Sequence, residues 1–216
     1  MCFVDFKKAF DSISRDKLWV TMMDMGYPIH LIDLLAKLYK LAKVKVAGTP
    51  SEWFRVKKGV RQGCVLSPYL FNILAVMVMR ETLDGFQGGL QIGGRMITNL
   101  RYADDIILLA TSEAELQELV DRLDHVSRRY SLLINVDNTK VMASDGIACR
   151  ILIQNELLEQ LDTFPYLGSL ITEDGKCTTE FRTRLNRGQA IEASLQKTWK
   201  SHSILISTKI RLMKAL

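Results

Sequence analysis

Three aspartates stand in surroundings that suit metal chemistry. Asp5 ends the apolar run Cys2-Phe3-Val4, and Asp104-Asp105 interrupts an apolar stretch between Leu100-Arg101-Tyr102-Ala103 and Ile106-Ile107-Leu108-Leu109. Adjacent carboxylates in such a setting are costly, because burial disfavours the charged form and like charges disfavour joint ionisation. A hard divalent cation removes both difficulties: Mg²⁺ takes carboxylate oxygens and leaves its other positions to water and substrate phosphates. Two such ions can activate an attacking hydroxyl and stabilise a leaving oxygen. A polar turn is the competing reading of Asp104-Asp105, since Asp is common in tight turns, although solvated turns rarely sit between apolar runs.

The elements that must position these groups are short and interleaved. Ser14 caps a helix over about 15–25, with Leu18, Met22 and Met25 on one face and Gly26 at its end. Pro28 opens a second, with Ile29, Ile32, Leu35 (or Ala36) and Tyr39 at helical spacing. Lys43 to Ala47 and Trp53 to Lys57 read as a hairpin. Ser67-Pro68 starts an apolar helix to about Leu83 that is hydrophobic on nearly every side, so it is expected to be central and buried. Gln91 to Met96 is a hairpin on a Gly93-Gly94 turn, and Leu100 to Ala110 is two strands broken at Asp104-Asp105. The capping box Ser112–Glu115 opens a helix carrying Leu116, Leu119, Leu123, Val126 and Tyr130 inward. Short strands follow around Val141, Ile151 to Ile153 and Tyr166 to Ile171, then a basic helix from about Thr179 with Phe181, Leu185 and Leu195 on one side. This interleaving points to an α+β fold rather than a doubly wound sheet.

Composition narrows the classes. The 216 residues are 48% hydrophobic, which argues against disorder. The longest apolar stretch, Tyr69 to Met79, falls well short of the ~20 residues a membrane span needs, so no membrane partner is expected. Charges fill the N-terminal stretch where a signal peptide would be apolar. The four cysteines lie far apart, which disfavours a zinc site or disulfide framework and fits a reducing compartment. The net +5 divides into +6 over residues 1–100, −8 over 101–175 and +7 over 176–216. An acidic middle between basic ends suits a nucleic-acid enzyme with a metal centre, since Lys and Arg neutralise phosphates. Solvated charged faces are the competing reading.

Three ordered motifs carry a resemblance. Phe3-Val4-Asp5-Phe6-Lys7-Lys8-Ala9-Phe10-Asp11-Ser12, then Gly59-Val60-Arg61-Gln62-Gly63-Cys64-Val65-Leu66-Ser67-Pro68-Tyr69-Leu70-Phe71-Asn72, then Tyr102-Ala103-Asp104-Asp105 resemble the palm motifs of reverse transcriptases, most nearly those of non-LTR (LINE-type) retrotransposons. Ser131-Leu132-Leu133-Ile134-Asn135 through Thr139-Lys140 resembles the next palm motif, and Phe164-Pro165-Tyr166-Leu167-Gly168 the primer grip. The resemblance covers nearly the whole chain. It implies a polymerase palm, an antiparallel sheet backed by helices, over residues 1–175 and the start of a thumb over 176–216, with the fingers largely missing. It implies an RNA-directed DNA polymerase that transfers nucleotides from dNTPs to a DNA primer's 3′-hydroxyl on an RNA template, with Mg²⁺ (Mn²⁺ as an alternative).

By this resemblance Asp5 and Asp104 are the principal metal ligands and Asp105 the supporting carboxylate. Phe10 resembles the steric gate against a 2′-hydroxyl; core packing is the competing reading. Gln62 and Gly63 border the nucleotide pocket, and Arg61 is either a phosphate contact or a surface residue. Tyr102 packs near the primer end or, equally, is a cross-strand core aromatic. Tyr166, Leu167 and Gly168 support the last primer nucleotide or are ordinary strand packing. Lys37, Lys40, Lys43, Lys45, Arg55, Lys57, Lys58 and Arg61, opposed across their segment only by Glu52, form one basic set for the template–primer, and Arg182, Arg184 and Arg187 open another. Two positions depart from the family pattern. Asn138 stands where a lysine, a proposed general acid for pyrophosphate, is usual, with Lys140 the nearest substitute. Ser131 replaces a glycine, which strains the turn if positive φ is needed. A second function stays open: a catalytically inactive retroelement remnant that binds nucleic acid or serves only as an interaction module.

Overall fold

A short strand without a polar side chain is satisfied only where both of its faces are covered. β1 (Cys2–Val4), buried at all three residues, meets this condition as the middle strand of a five-stranded sheet. The computed structural model describes residues 1–43, 45–46, 48–144 and 146–215, without the side chains of residues 45, 46 and 215. Val44 and Ala47 of the expected hairpin therefore lie outside the described residues, as do the side chains of Lys45 and Val46. After β1 come the short α1 (Ala9–Ser12), α2 (Arg15–Asp24), α3 (Ile29–Lys40), and the two-residue strands β2 (Leu41–Ala42), β3 (Lys45–Val46), β4 (Thr49–Pro50) and β5 (Phe54–Arg55). Then follow α4 (Ser67–Thr82), β6 (Leu90–Ile92), β7 (Arg95–Ile97), β8 (Asn99–Tyr102), β9 (Asp105–Leu108), α5 (Glu113–Arg129), β10 (Lys140–Val141), β11 (Leu152–Ile153), β12 (Glu156–Leu157) and β13 (Glu159–Gln160).

The sheet order is β13-β10-β1-β9-β8. β1 runs antiparallel to β9 and β10, and β8 antiparallel to β9, whereas β10 and β13 are parallel. The arrangement is the expected α+β palm, a largely antiparallel sheet backed by helices, with one parallel pair at its edge. Helix α5 obeys its capping signal: Ser112 Oγ accepts from the Glu115 backbone N–H at 3.2 Å, and Leu116, Leu119, Leu123 and Val126 are buried. It packs on α4 and β9, and α4 packs in turn on α2. At the far end of α5, the Ser131 N–H donates to Arg128 O (3.0 Å) and the Leu132 N–H to Ser127 O (2.9 Å). This helix stop places Ser131 at φ 65, the strained conformation its glycine-like position called for.

Several expectations need correction. Ile29 is 76% exposed, so the inward face of α3 is Ile32, Leu35 and Tyr39 alone. Helix α4 buries one face only: Leu70, Phe71, Leu74, Val78 and Met79 enter the core while Tyr69 and Val76 are exposed. Tyr166 to Ile171 is not one strand but the turn and flanks of a hairpin, β14 (Thr163–Tyr166) and β15 (Ser169–Thr172), with Tyr166 opposite Ser169.

Two compact units make up the chain, one of residues 1–142 and 148–160, the other of residues 143–147 and 161–216. The second holds the β14–β15 hairpin, α6 (Thr178–Ser194), α7 (Gln196–Lys200) and α8 (Ile206–Ala215). Helix α6 has no buried residue, and Phe181, expected on its inward side, is 68% exposed.

Candidate active site

The β1–β9 register pairs Cys2 with Leu108, Phe3 with Ile107 and Val4 with Ile106, so its next step sets Asp5 opposite Asp105. Asp105 in turn pairs with Tyr102 across the β8–β9 hairpin, whose two-residue loop is Ala103-Asp104. Three carboxylates thus gather at one end of two central strands, from parts of the chain far apart in sequence. Ala103 takes φ 53 at the first loop position, where such hairpins normally use glycine. A residue with a Cβ pays about 1–2 kcal/mol for that conformation. Burial raises the Asp105 carboxyl above its ordinary range, and the charges of Asp104 and then Asp5 push it further. Crowded hard-oxygen donors of this kind suit a divalent cation. Among the described residues, no group of three or more His, Cys, Asp or Glu side chains is placed so as to hold a metal ion.

One loop holds Asp5 at its backbone N–H, its carbonyl and one carboxylate oxygen. Its backbone N–H donates to Thr139 Oγ1 at 3.2 Å, and its carbonyl accepts from the Asn135 N–H at 2.8 Å. The Nδ2 groups of Asn135 and Asn138 both donate to Asp5 Oδ2, each at 2.9 Å. The Phe6–Ile134 bridge pins the chain just after Asp5, and within the loop the Thr139 N–H donates to Asn135 O at 2.9 Å. Nothing local in the sequence announced Asn135 or Thr139 as partners of Asp5.

Beside the carboxylates lies a cleft of about 1010 Å³, whose lining includes Phe10, Tyr69, Asn72, Val76, Tyr102 and Ala103. It accounts for the exposed side of α4, since ligand clefts are lined mainly by apolar and aromatic groups. Phe10 is half-buried and stacks on Phe71 with centroids 4.9 Å apart, so it packs on the core and lines the cleft at once. Tyr102 is 66% exposed, which excludes the core-aromatic reading. Gln62 and Gly63 are exposed in the turn that leads into α4, with Gly63 at φ 76. The approach to this turn is tight. Gly59 sits at φ 78, and a Cβ there would lie 3.0 Å from the Asp11 carbonyl oxygen, so only glycine fits.

Other expected residues are engaged in specific contacts. The Arg61 guanidinium donates to Leu38 O (2.9 Å) and Leu41 O (3.2 Å) at the C-terminal end of α3, and lies 5.4 Å from the centre of the Tyr39 ring. A cation there satisfies carbonyls the helix leaves open. Lys140 Nζ donates to Glu159 Oε2 at 2.7 Å and to Asp137 O. Lys37 is paired with Asp33 at 2.6 Å, so Glu52 is not the only acid opposing the first basic set. Four of its members, Lys37, Lys40, Arg55 and Lys57, instead line a cleft of about 610 Å³ together with Asp16 and Asp33. Arg15, a buried cation that sequence reading did not single out, also lines it.

In the second unit, Leu167 (φ 48) and Gly168 (φ 79) form the hairpin turn that follows Tyr166. Arg184 reaches this turn: its guanidinium donates to Ser169 Oγ at 3.0 Å and to Gly168 O at 3.4 Å, and also pairs with Glu180. The Arg184 hydrogen bond, then that from the Leu170 N–H, hold the Glu180 carboxyl below its usual range. Arg182 and Arg187 are exposed on α6.

Comparison with known proteins gives a consistent result. The family model for reverse transcriptase (RNA-dependent DNA polymerase) matches residues 1–171. The chain is 29% identical over 218 aligned positions to the Pol polyprotein of the type-2 retrotransposable element R2DM of Drosophila melanogaster, covering 93% of the chain and 20% of that protein. It is 32% identical over 126 positions to the Pol polyprotein of an R2 element of Nasonia vitripennis, covering 57% of the chain and 12% of that protein. The chain therefore spans a fifth or less of these two relatives. Among solved structures, apo telomerase of Candida tropicalis, truncated from its C-terminal domain, superposes with a TM-score of 0.59 over 79% of the chain and 33% of the telomerase at 17% identity, a likeness of fold. Among the described residues no helix is long and apolar enough to cross a membrane.

Proposed function

The chain belongs to the reverse transcriptase (RNA-dependent DNA polymerase) family, in its non-LTR retrotransposon branch, and on that premise we propose that its first unit is the nucleotide-adding centre of an RNA-directed DNA polymerase. The family uses divalent metal ions. The observation that carries the reading is the β1–β9 register, whose continuation sets Asp5 opposite Asp105, with Asp104 in the adjoining hairpin loop next to Ala103 and Tyr102, which line a cleft together with Phe10. When bound, Mg²⁺ (or Mn²⁺) supplies positive charge to the dNTP triphosphate and to the primer 3′-hydroxyl. Asp5 and Asp104 hold it there and Asp105 supports them. The ring of Phe10 lies beneath the incoming sugar, the Gln62-Gly63 turn borders the nucleotide, and Tyr102 packs against the primer end. Arg61 and Lys140, already engaged by carbonyls and by Glu159, shape the site rather than grip phosphate. In the second unit, read as the start of the thumb from residue 176, the Tyr166-Leu167-Gly168 turn and Arg182, Arg184 and Arg187 contact the template–primer backbone. RNA template, DNA primer and dNTPs are the substrates of this reading.

Primer extension on an RNA template tests it. The expected result is dNTP addition that requires Mg²⁺ or Mn²⁺ and stops with a chelator, together with template–primer binding that weakens as salt rises. Binding without any extension would favour the inactive-remnant reading. The gate carries its own expectation. Phe10→Val should raise ribonucleotide incorporation roughly 10-fold relative to dNTP, the order of discrimination a pocket gains from a few apolar atoms. Competing rNTP and dNTP in the same assay measures this, and equal sugar selectivity in both proteins would remove Phe10 from the role.

A further inference from the structure

The loop that wraps Asp5 does more than complete the fold. Two amides, from Asn135 and Asn138, donate to the same oxygen, Oδ2, at 2.9 Å each. Two donors converging on one oxygen fix the rotation of the carboxylate group. They also leave Oδ1, which accepts no hydrogen bond among the described residues, as the oxygen open to a cation. Asn138 is exposed and its amide spans from a turn whose neighbour Thr139 is fully buried. The turn is anchored to Asp5 through Thr139, and the Asn138 amide reaches the carboxylate.

We propose that Asn135 and Asn138 are positioning residues that orient the Asp5 carboxylate for divalent-cation binding, a proposal that rests on the reading of Asp5 as a metal ligand. The donors are uncharged, so they orient Asp5 without competing with a cation for its negative charge. A lysine at position 138 would bring such competition. Partners of this kind, which hold a ligand rather than touch the ion, typically change metal affinity 10–100-fold when lost.

Mn²⁺ titration of the full 216-residue chain, read by the electron paramagnetic resonance of free Mn²⁺, tests the proposal alongside thermal melting. Asn138→Leu keeps a side chain of similar size, removes the donor and alters an exposed position. It should weaken Mn²⁺ binding about 10-fold while the melting temperature stays near that of the parent. Asn138→Gln, which keeps an amide, should recover most of the affinity. Asn135→Leu should act in the same direction as Asn138→Leu. If Asp5→Asn loses Mn²⁺ binding while both leucine variants bind as the parent does, the positioning role is wrong and the metal assignment stands. If the glutamine variant binds as poorly as the leucine variant, the amide is not the operative group and the proposal falls. If the parent binds no Mn²⁺, or Asp5→Asn binds it equally well, the metal reading falls and takes the proposal with it.

Discussion

Asp104→Asn should cut primer extension by about 10³-fold or more while leaving the fold intact or slightly more stable. The substitution preserves side-chain volume and removes one unit of charge. Held divalent charge is worth several kcal/mol to a phosphoryl-transfer transition state, and each 1.4 kcal/mol is tenfold in rate. The stability side follows from the local electrostatics. Asp104 occupies the second position of a hairpin loop and is half-buried, so no core contact is lost. Its charge is one of the two that push the Asp105 carboxyl up, and removing it relieves that repulsion when no cation is bound. Activity and stability therefore move in opposite directions, which a merely damaged protein does not do. Single-turnover extension rates and melting curves without divalent ions check both halves. A rate within about tenfold of the parent would show that Asp104 is not a ligand.

What could be read from the chain itself follows a physical division. Strands β1 and β9 were legible because unbroken apolar runs, Cys2-Phe3-Val4 and Ile106-Ile107-Leu108, suit only a strand covered on both sides. The three aspartates at their ends were legible because a charge at such a boundary needs a reason. Helix α4 was legible as a helix, but not its exposed side. Apolar content states that Tyr69 and Val76 avoid water, and a cleft for a ligand meets that demand as well as a core does. The turn at Leu167-Gly168 was missed because leucine at φ 48 is not a turn signal; cross-strand pairing imposes it. The amides on Asp5 were missed for a different reason. Asn135 lies 130 positions from Asp5, and a hydrogen bond of that span exists only once the sheet has assembled. Local chemistry is written locally, and the contacts that orient a site are written in the topology.

Arg15→Met should destabilise the first unit by about 3–5 kcal/mol, a loss comparable with that of breaking a buried ion pair. Arg15 is 8% exposed and, among the described residues, has no carboxylate partner. Its Nε donates to Gly59 O at 2.8 Å, and its Nη1 donates to Tyr39 O and Val56 O. The guanidinium also lies 5.1 Å from the Tyr39 ring centre. Burial lowers its pKa without removing its charge at neutral pH, because arginine stays protonated in proteins. One side chain thus ties the start of α2 to the last turn of α3, to the segment after β5 and to the Gly59 loop. Methionine fills similar space but leaves three backbone carbonyls without their donor. Backbone acceptors cannot be exchanged for apolar groups, so the compensation open to a buried side-chain pair is closed here. Arg15→Lys should fall between parent and Met, since one ammonium cannot reproduce the fork that reaches three acceptors. The melting temperature of the Met variant should drop by roughly 6–20 °C, and a change under about 1 °C would show that the clamp carries no stability. The effect reaches the site through the chain. The Gly59 N–H donates to Ile13 O, and the Val60 N–H donates to Phe10 O at 2.9 Å. The cation that closes the loop therefore also fixes the backbone from which Phe10 faces the cleft, and partial loss of sugar selectivity should accompany the loss of stability.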